Sequence, residues 1–368
     1  MKFGSPEAIR FSKGVILCAL FGLLICLPSF DAVFQLDNAP IPNEKRQPAP
    51  FPEFRTSAQV RDFVGGLTAW FDDHFGFRRR LVRTNNHWKH QLFGTNEKEV
   101  LEGRDGWLYF TACEMLDNCL GHSRWTEKDL ENWQKLLEKR RDWLARRGCK
   151  YLFVIAPDKH SVYPEHLPEW CAKAVKPGKA DQFFEHMKAH STVIVADLRK
   201  PLKQAKTEGL VYWKTDSHWN AFGAFTACQA IIDRLSHEMP TVRPLSPDVF
   251  EHASWDPAPG DLAILMGDAG FTEPSHISFI PRPPLTKIEP TPDPAILPKH
   301  WLKDTEPKVS RNERGQAKAI VFRDSFGEPW RGIMDQNFKE TIYIWEHYLE
   351  PELIEREKPD VVITEMVE

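Results

Sequence analysis

The chain has no surplus of basic residues. Its 48 Lys and Arg stand against 52 Asp and Glu, a formal net charge of −4 over 368 residues. Bulk charge therefore excludes nucleic acid as a partner, because a phosphate footprint needs clear positive excess. No zinc-type Cys-x-x-Cys pair occurs among the seven cysteines, so a closed thiolate site of that kind is excluded. No internal repeat is present, which argues against a solenoid or propeller. The apolar run Gly14 to Phe30 is followed by no small-x-small cleavage site, its exit reading Leu27-Pro28-Ser29-Phe30-Asp31. Ile25 precedes Cys26, where a lipobox needs a small residue. An uncleaved anchor is therefore favoured over a removed signal peptide or a lipoprotein.

What is present fits that choice. Lys2, Arg10 and Lys13 precede the run, and Asp31 and Asp37 follow it, a polarity that places the N-terminus inside and the rest of the chain outside. The expected divisions are a basic tail (1–13), a transmembrane signal anchor (14–34), a linker with a helical segment (35–98) and a catalytic domain (99–368). The stretch Asn38 to Pro52 is proline-rich and reads as an extended spacer. Phe63, Leu67, Trp70, Phe71 and Phe75 then recur at helical spacing. Arg78, Arg79 and Arg80 form a basic cluster, read as a solvated helix face. Cys113 and Cys119 enclose a short loop, either a local disulfide or ordinary buried thiols. The 13 Trp and 24 Phe are core material first. Sugar rings also stack on indole faces, so a saccharide surface would use the same residues.

From Glu99 onward, helical and strand patterns alternate. Gly103 to Gly106 is a turn before the aromatic strand Trp107–Phe110, and Thr126 caps a helix with the stripe Leu130, Trp133, Leu137, Leu144. Near-continuous apolar strands are expected at 149–156, 192–196, 319–322, 342–345 and 361–364, with helices at 181–189 and 221–235. This alternation predicts an α/β fold, a mostly parallel sheet covered on both faces by helices. The proline-rich region 244–307 breaks the pattern and reads as an excursion over the sheet edge.

Two segments carry chemistry. In Arg323-Asp324-Ser325-Phe326-Gly327 a serine follows an apolar strand directly, where ligand sites form in open parallel sheets. Its hydroxyl would stand beside free backbone N–H groups, the donors an oxyanion needs. In Thr215-Asp216-Ser217-His218-Trp219-Asn220 an aspartate two residues before a histidine can fold back to orient the imidazole. Asp158-Lys159-His160 is a second Asp-x-His, so Asp158, His160, Asp216 and His218 could instead ligate a metal. Spacing leaves both readings open.

The ordered segments Gly103-x-x-Gly106-Trp107-Leu108, Ala156-Pro157-Asp158-Lys159 with Tyr163-Pro164, Thr215 to Asn220, Gly260-Asp261-Leu262 and Arg323 to Phe326 resemble the alginate O-acetyltransferase family, the AlgJ/AlgX-like branch of the SGNH hydrolases. The resemblance implies a three-layer SGNH-like α/β/α fold preceded by a transmembrane helix, with Ser325, His218 and Asp216 as a triad. Arg323, Asn220 and Lys159, inside the same segments, are the candidates for contacting substrate or oxyanion. It further implies acetyl transfer onto an exported or surface polysaccharide from the periplasmic side of the inner membrane. A multi-pass membrane O-acyltransferase would be the donor partner, and no soluble cofactor is implied. An acetyl esterase on the same triad, the metal-dependent hydrolase and a non-catalytic polysaccharide-binding protein are the alternatives.

Overall fold

The computed structural model describes residues 6–34, 36, 49–52, 60–78, 80–81, 84, 99–112, 114–255, 258–266, 273, 276–282, 287–290 and 307–368. Cys113 and Arg79 lie outside the described residues, and so does most of the proline-rich spacer. Two compact units result, residues 1–97 with 264–269, and residues 98–263 with 270–368.

In the first unit the apolar run lies in a helix, Pro6–Phe34, and the expected amphipathic segment forms a second, Val60–His74. The Phe77 N–H donates to Asp31 Oδ2 at 2.5 Å, and the Trp70 and Phe51 rings meet edge to face at 5.2 Å. Val15, Ile16, Leu17, Leu20, Phe21, Leu23 and Ile25 are all more than half exposed on the first helix. Among the described residues no helix is long and apolar enough to cross a membrane.

The second unit opens with a hairpin of β1 (Val100–Glu102) and β2 (Leu108–Phe110). Its turn needs left-handed backbone at Asp105 (φ 58°) and Gly106 (φ 77°), a conformation glycine adopts without steric cost. The main sheet uses β3 (Lys150–Ala156), β4 (Ile194–Asp197), β7 (Lys287–Pro290), β8 (Lys308–Arg311), β9 (Lys318–Arg323), β10 (Glu340–Trp345) and β11 (Val361–Val367). Strands β5 (Phe250–Trp255) and β6 (His276–Pro281) pair separately as an antiparallel ribbon. The main order is β4-β3-β11-β9-β10-β8-β7, parallel from β4 to β10, with β8 and β7 added antiparallel at one edge. The proline-rich excursion thus lends β7 to the sheet. Its Pro290 sits at the strand end on the edge, where a missing N–H is tolerated.

Side-chain alternation sorts the parallel strands onto two cores. Leu152, Val154, Val321, Tyr343 and Ile363 face the helix Ala221–Ser236 and Trp330. Phe153, Ile155, Ile320, Phe322 and Ile342 face the helices Glu127–Ala145 and Lys179–His190. Thr126 and Asp129 form a capping box at the start of the first of these. Burying Ile320, Val321 and Phe322 completely contributes about 1.5–3 kcal/mol each. That packing fixes the carboxyl end of β9, which leads straight into Ser325. Cys119 is a buried free thiol that contacts Cys171.

Candidate active site

The base segment is a tight loop. Tyr212 and Trp219 bridge antiparallel, and the Asn220 N–H donates to Val211 O at 3.0 Å, which leaves Asp216 and His218 at the tip. Asp216 Oδ1 accepts from the His218 backbone N–H (2.9 Å) and lies 2.8 Å from His218 Nδ1. The other ring nitrogen, Nε2, lies 2.8 Å from Ser325 Oγ. Asp216, His218 and Ser325 are therefore brought into one hydrogen-bonded line.

Ser325 opens a short 3₁₀ turn, Ser325–Trp330, immediately after β9. Asp324 clamps that turn: Oδ1 accepts from the Phe326 N–H (2.9 Å), and Oδ2 accepts from the Val367 N–H (2.8 Å) on β11. Trp219 Nε1 donates to Phe326 O at 3.1 Å and ties the two loops together. The Trp219 and Trp330 rings stack beneath them at 5.8 Å.

A third carboxylate completes the arrangement. The Asp261 N–H donates to Asp216 Oδ2 at 2.9 Å, and Asp261 Oδ1 accepts from the Ser217 N–H at 2.6 Å. Asp261 Oδ2 accepts from Ser217 Oγ at 2.5 Å and lies 3.4 Å from His218 Nδ1. Burial alone would lower the His218 pKa, but hydrogen bonds and charge from Asp216 and Asp261 outweigh it and push it up to about 9. Burial raises Asp216, but the His218 hydrogen bond and charge outweigh that and hold it below the usual carboxylate range.

The segment that delivers Asp261 is packed backbone to backbone. The Gly260 N–H donates to Thr215 Oγ1 (3.0 Å), and the Leu262 and Ala263 N–H groups donate to Thr215 O (3.1 Å each). Thr215 Oγ1 in turn donates to the buried Glu273 Oε1 at 2.7 Å. A Cβ on Gly260 would stand 2.4 Å from Thr215 C and 2.5 Å from the Asp216 nitrogen, so only glycine fits. Sequence reasoning quoted Gly260-Asp261-Leu262 but gave Asp261 no role, and it missed Glu273. The usable signal was an Asp directly after a glycine within a proline-rich stretch.

The three residues expected to touch substrate or oxyanion hold backbone in this structure. Lys159 is buried, and its Nζ donates to Leu108 O (2.6 Å) and to Lys214 O (3.0 Å), two residues ahead of Asp216. Burial pulls its pKa down to about 7 against the opposing pull of Asp216, Asp261 and Glu273. Asn220 Oδ1 caps the helix Ala221–Ser236 at the Gly223 N–H (2.9 Å). Arg323 is buried, pairs with Glu328 and donates to Asp324 O at 3.1 Å.

The four groups considered as a single metal set fall into two clusters. Asp216 and His218 gather with Asp261, whereas Asp158 and His160 gather with Glu368. In the second cluster burial lowers the His160 pKa to about 4. Burial, then the charges of Glu368 and Asp324, drives that of Asp158 well up. The separation follows from the fold, since Asp158 stands just after β3, at the start of the helix Lys159–Val162, while Asp216 rides the loop before the helix Ala221–Ser236.

A serine at a strand's carboxyl end, a histidine from a loop earlier in the chain and a parallel sheet between helix layers fit an SGNH-type α/β architecture. Residues 100–307 match the family described as SGNH hydrolase-like domain, acetyltransferase AlgX, and the chain belongs to that family. Ser325 lies beyond the matched stretch. The chain is 28% identical over 239 residues to the probable alginate O-acetylase AlgJ of Pseudomonas syringae, covering 63% of this chain and 58% of that protein. It is 29% identical over 222 residues to the Pseudomonas fluorescens protein of the same name, covering 58% and 54%. It thus spans little more than half the length of these relatives. Among solved structures, Bacillus cereus PatB1 superposes with a TM-score of 0.53 at 17% identity, over 72% of this chain and 94% of that one. A DHHW family protein from Eubacterium siraeum gives 0.52 at 16% identity, over 72% and 88%.

Proposed function

We propose that the chain is an O-acetyltransferase that moves an acetyl group through a Ser325 acyl-enzyme onto a hydroxyl of an exported or cell-surface polysaccharide. The observation that carries this reading is His218, hydrogen-bonded at once to Ser325 Oγ and to Asp216. His218 Nε2 takes the Ser325 proton as Oγ attacks the acetyl carbonyl. Asp216 holds Nδ1 protonated and stabilises the imidazolium that forms. The Ser325 N–H opens a helical turn, where the first donors lack partners within the helix, and contributes to binding the oxyanion. The imidazolium returns its proton to the leaving group. A sugar hydroxyl then gives its proton to His218 and attacks the acetyl-enzyme; the bond to Ser325 Oγ breaks, Oγ takes the proton back from His218, and the sugar leaves as the ester.

Transfer rather than hydrolysis is supported by the relatives, which are named alginate O-acetylases. The half-exposed apolar side chains of the helix Pro6–Phe34 and the basic residues before them support an inner-membrane anchor with the second unit in the periplasm. A multi-pass membrane O-acyltransferase is the proposed donor partner. The test is Ser325→Ala against wild type, incubated with an aryl acetate. Wild type should gain the mass of one acetyl group on the peptide containing Ser325 and release the aryl alcohol. The variant should do neither while keeping its melting temperature. Equal turnover by the variant overturns the reading.

A further inference from the structure

Trp345 is the last residue of β10, beside Arg323 in the parallel register with β9. Alternation puts its side chain on the same sheet face as Tyr343, which packs in the core with Trp219, Phe326 and Trp330. That is the face from which His218 reaches Ser325. Neighbouring strands lie about 4.8 Å apart, and two residues along a strand span roughly 7 Å. Trp345 is therefore one strand across from Arg323, which stands two residues ahead of Ser325 at the end of β9.

Most tryptophans in this core are sealed, with Trp107, Trp219 and Trp330 at 0–1% exposed. Trp345 is 41% exposed, although it sits at the carboxyl end of the sheet, where ligand crevices form. One side of its ring is fixed: the Arg323 guanidinium lies 4.5 Å from the ring centroid, itself buried and paired with Glu328. A cation behind the ring holds the indole in place and leaves the opposite face to solvent. Glu328 also pairs with Arg331, and both side chains are partly exposed, at 44% and 25%. A flat, exposed indole face matches one side of a pyranose ring. Its axial C–H groups form an apolar side, and its hydroxyls both donate and accept.

We infer that Trp345 is the stacking platform of an acceptor subsite, holding one pyranose ring of the polysaccharide while a neighbouring unit presents its hydroxyl to Ser325. This rests on the acyl-transfer reading of Ser325, but it concerns the acceptor step alone. Acetyl-enzyme formation from a small ester needs no platform; the second step needs one.

The experiment compares wild type, Trp345→Ala, Trp345→Phe and Trp170→Ala, the last removing an exposed indole on the helix Glu169–Ala172. Each is given an aryl acetate alone, and separately mannuronate, chito- and cello-pentaose, with saccharide binding read by saturation-transfer NMR. At least one pentasaccharide should bind wild type, with affinity about tenfold weaker in Trp345→Ala and largely kept in Trp345→Phe and Trp170→Ala. Aryl acetate turnover should stay within about twofold in all four. Unchanged saccharide binding in Trp345→Ala, no binding by wild type, or equal loss of aryl acetate turnover in Trp345→Ala each overturns the subsite. None of these outcomes depends on whether Ser325→Ala is inactive, so the two readings fail separately.

Discussion

At the scale of single residues, the geometry around His218 has a consequence for pH. Two carboxylates face Nδ1, Asp216 at 2.8 Å and Asp261 at 3.4 Å, and with them the imidazole pKa stands near 9. A histidine can accept the Ser325 proton only when neutral, so kcat/KM for an aryl acetate should rise with pH through neutrality, reach half its maximum near pH 9 and level off only above that. Asp261→Asn removes one of the two negative charges, which weakens the preference for the imidazolium. The midpoint of the acid limb should move to lower pH, read from a pH–rate profile. A midpoint that stays put would mean that Asp261 acts only through its backbone N–H on Asp216. Lys159 belongs to another class, because it bonds the carbonyls of Leu108 and Lys214 away from solvent. Lys159→Met strands both acceptors and should cost about 3 kcal/mol in denaturant unfolding, within the range for breaking buried charged hydrogen bonds. A loss below 1 kcal/mol would show that the carbonyls find other partners.

At the scale of elements, the site depends on how closely the segment around Gly260 lies against the base loop. Gly260→Ala forces backbone apart at Thr215 and Asp216. Displacements of about 1 Å can cost roughly 100-fold in rate, so kcat/KM should fall by about that factor while the melting transition persists. The elements that sequence made legible share one property, which is that their signal is local. The strands around Leu152, Val321 and Ile363 are near-continuous apolar runs, and the Asp216-x-His218 spacing is complete within three residues. Strands β7 and β8 hold four residues each, Lys287–Pro290 and Lys308–Arg311, with charge and proline at their ends. No burial pattern can be read from so short an edge. Asp261 and Glu273 were invisible as supports for a different reason. Their partners lie 45 and 58 residues away in the chain, and nothing in either neighbourhood records the contact. Lys159 and Arg323 were expected to face substrate because of where they stand in their segments. The direction in which each side chain turns is decided by packing.

For the molecule as a whole, strand order matters more than strand identity. β11, the last of the sheet strands along the chain, lies between β3 and β9, and its seven residues pair with β3 along their whole length. Its Val367 N–H also holds Asp324 beside the nucleophile. Deleting residues 361–368 should abolish the cooperative unfolding transition rather than trim an edge, and loss of near-ultraviolet circular dichroism would report it. A truncated chain that melts cooperatively would contradict the central role of β11.

The same placement orders events during synthesis. A ribosome releases β3 and β4 long before the strand that must sit beside them, so the sheet has no centre to close on until translation has passed Val361. Ser325 and His218 therefore meet late, once nearly the whole second unit has been made.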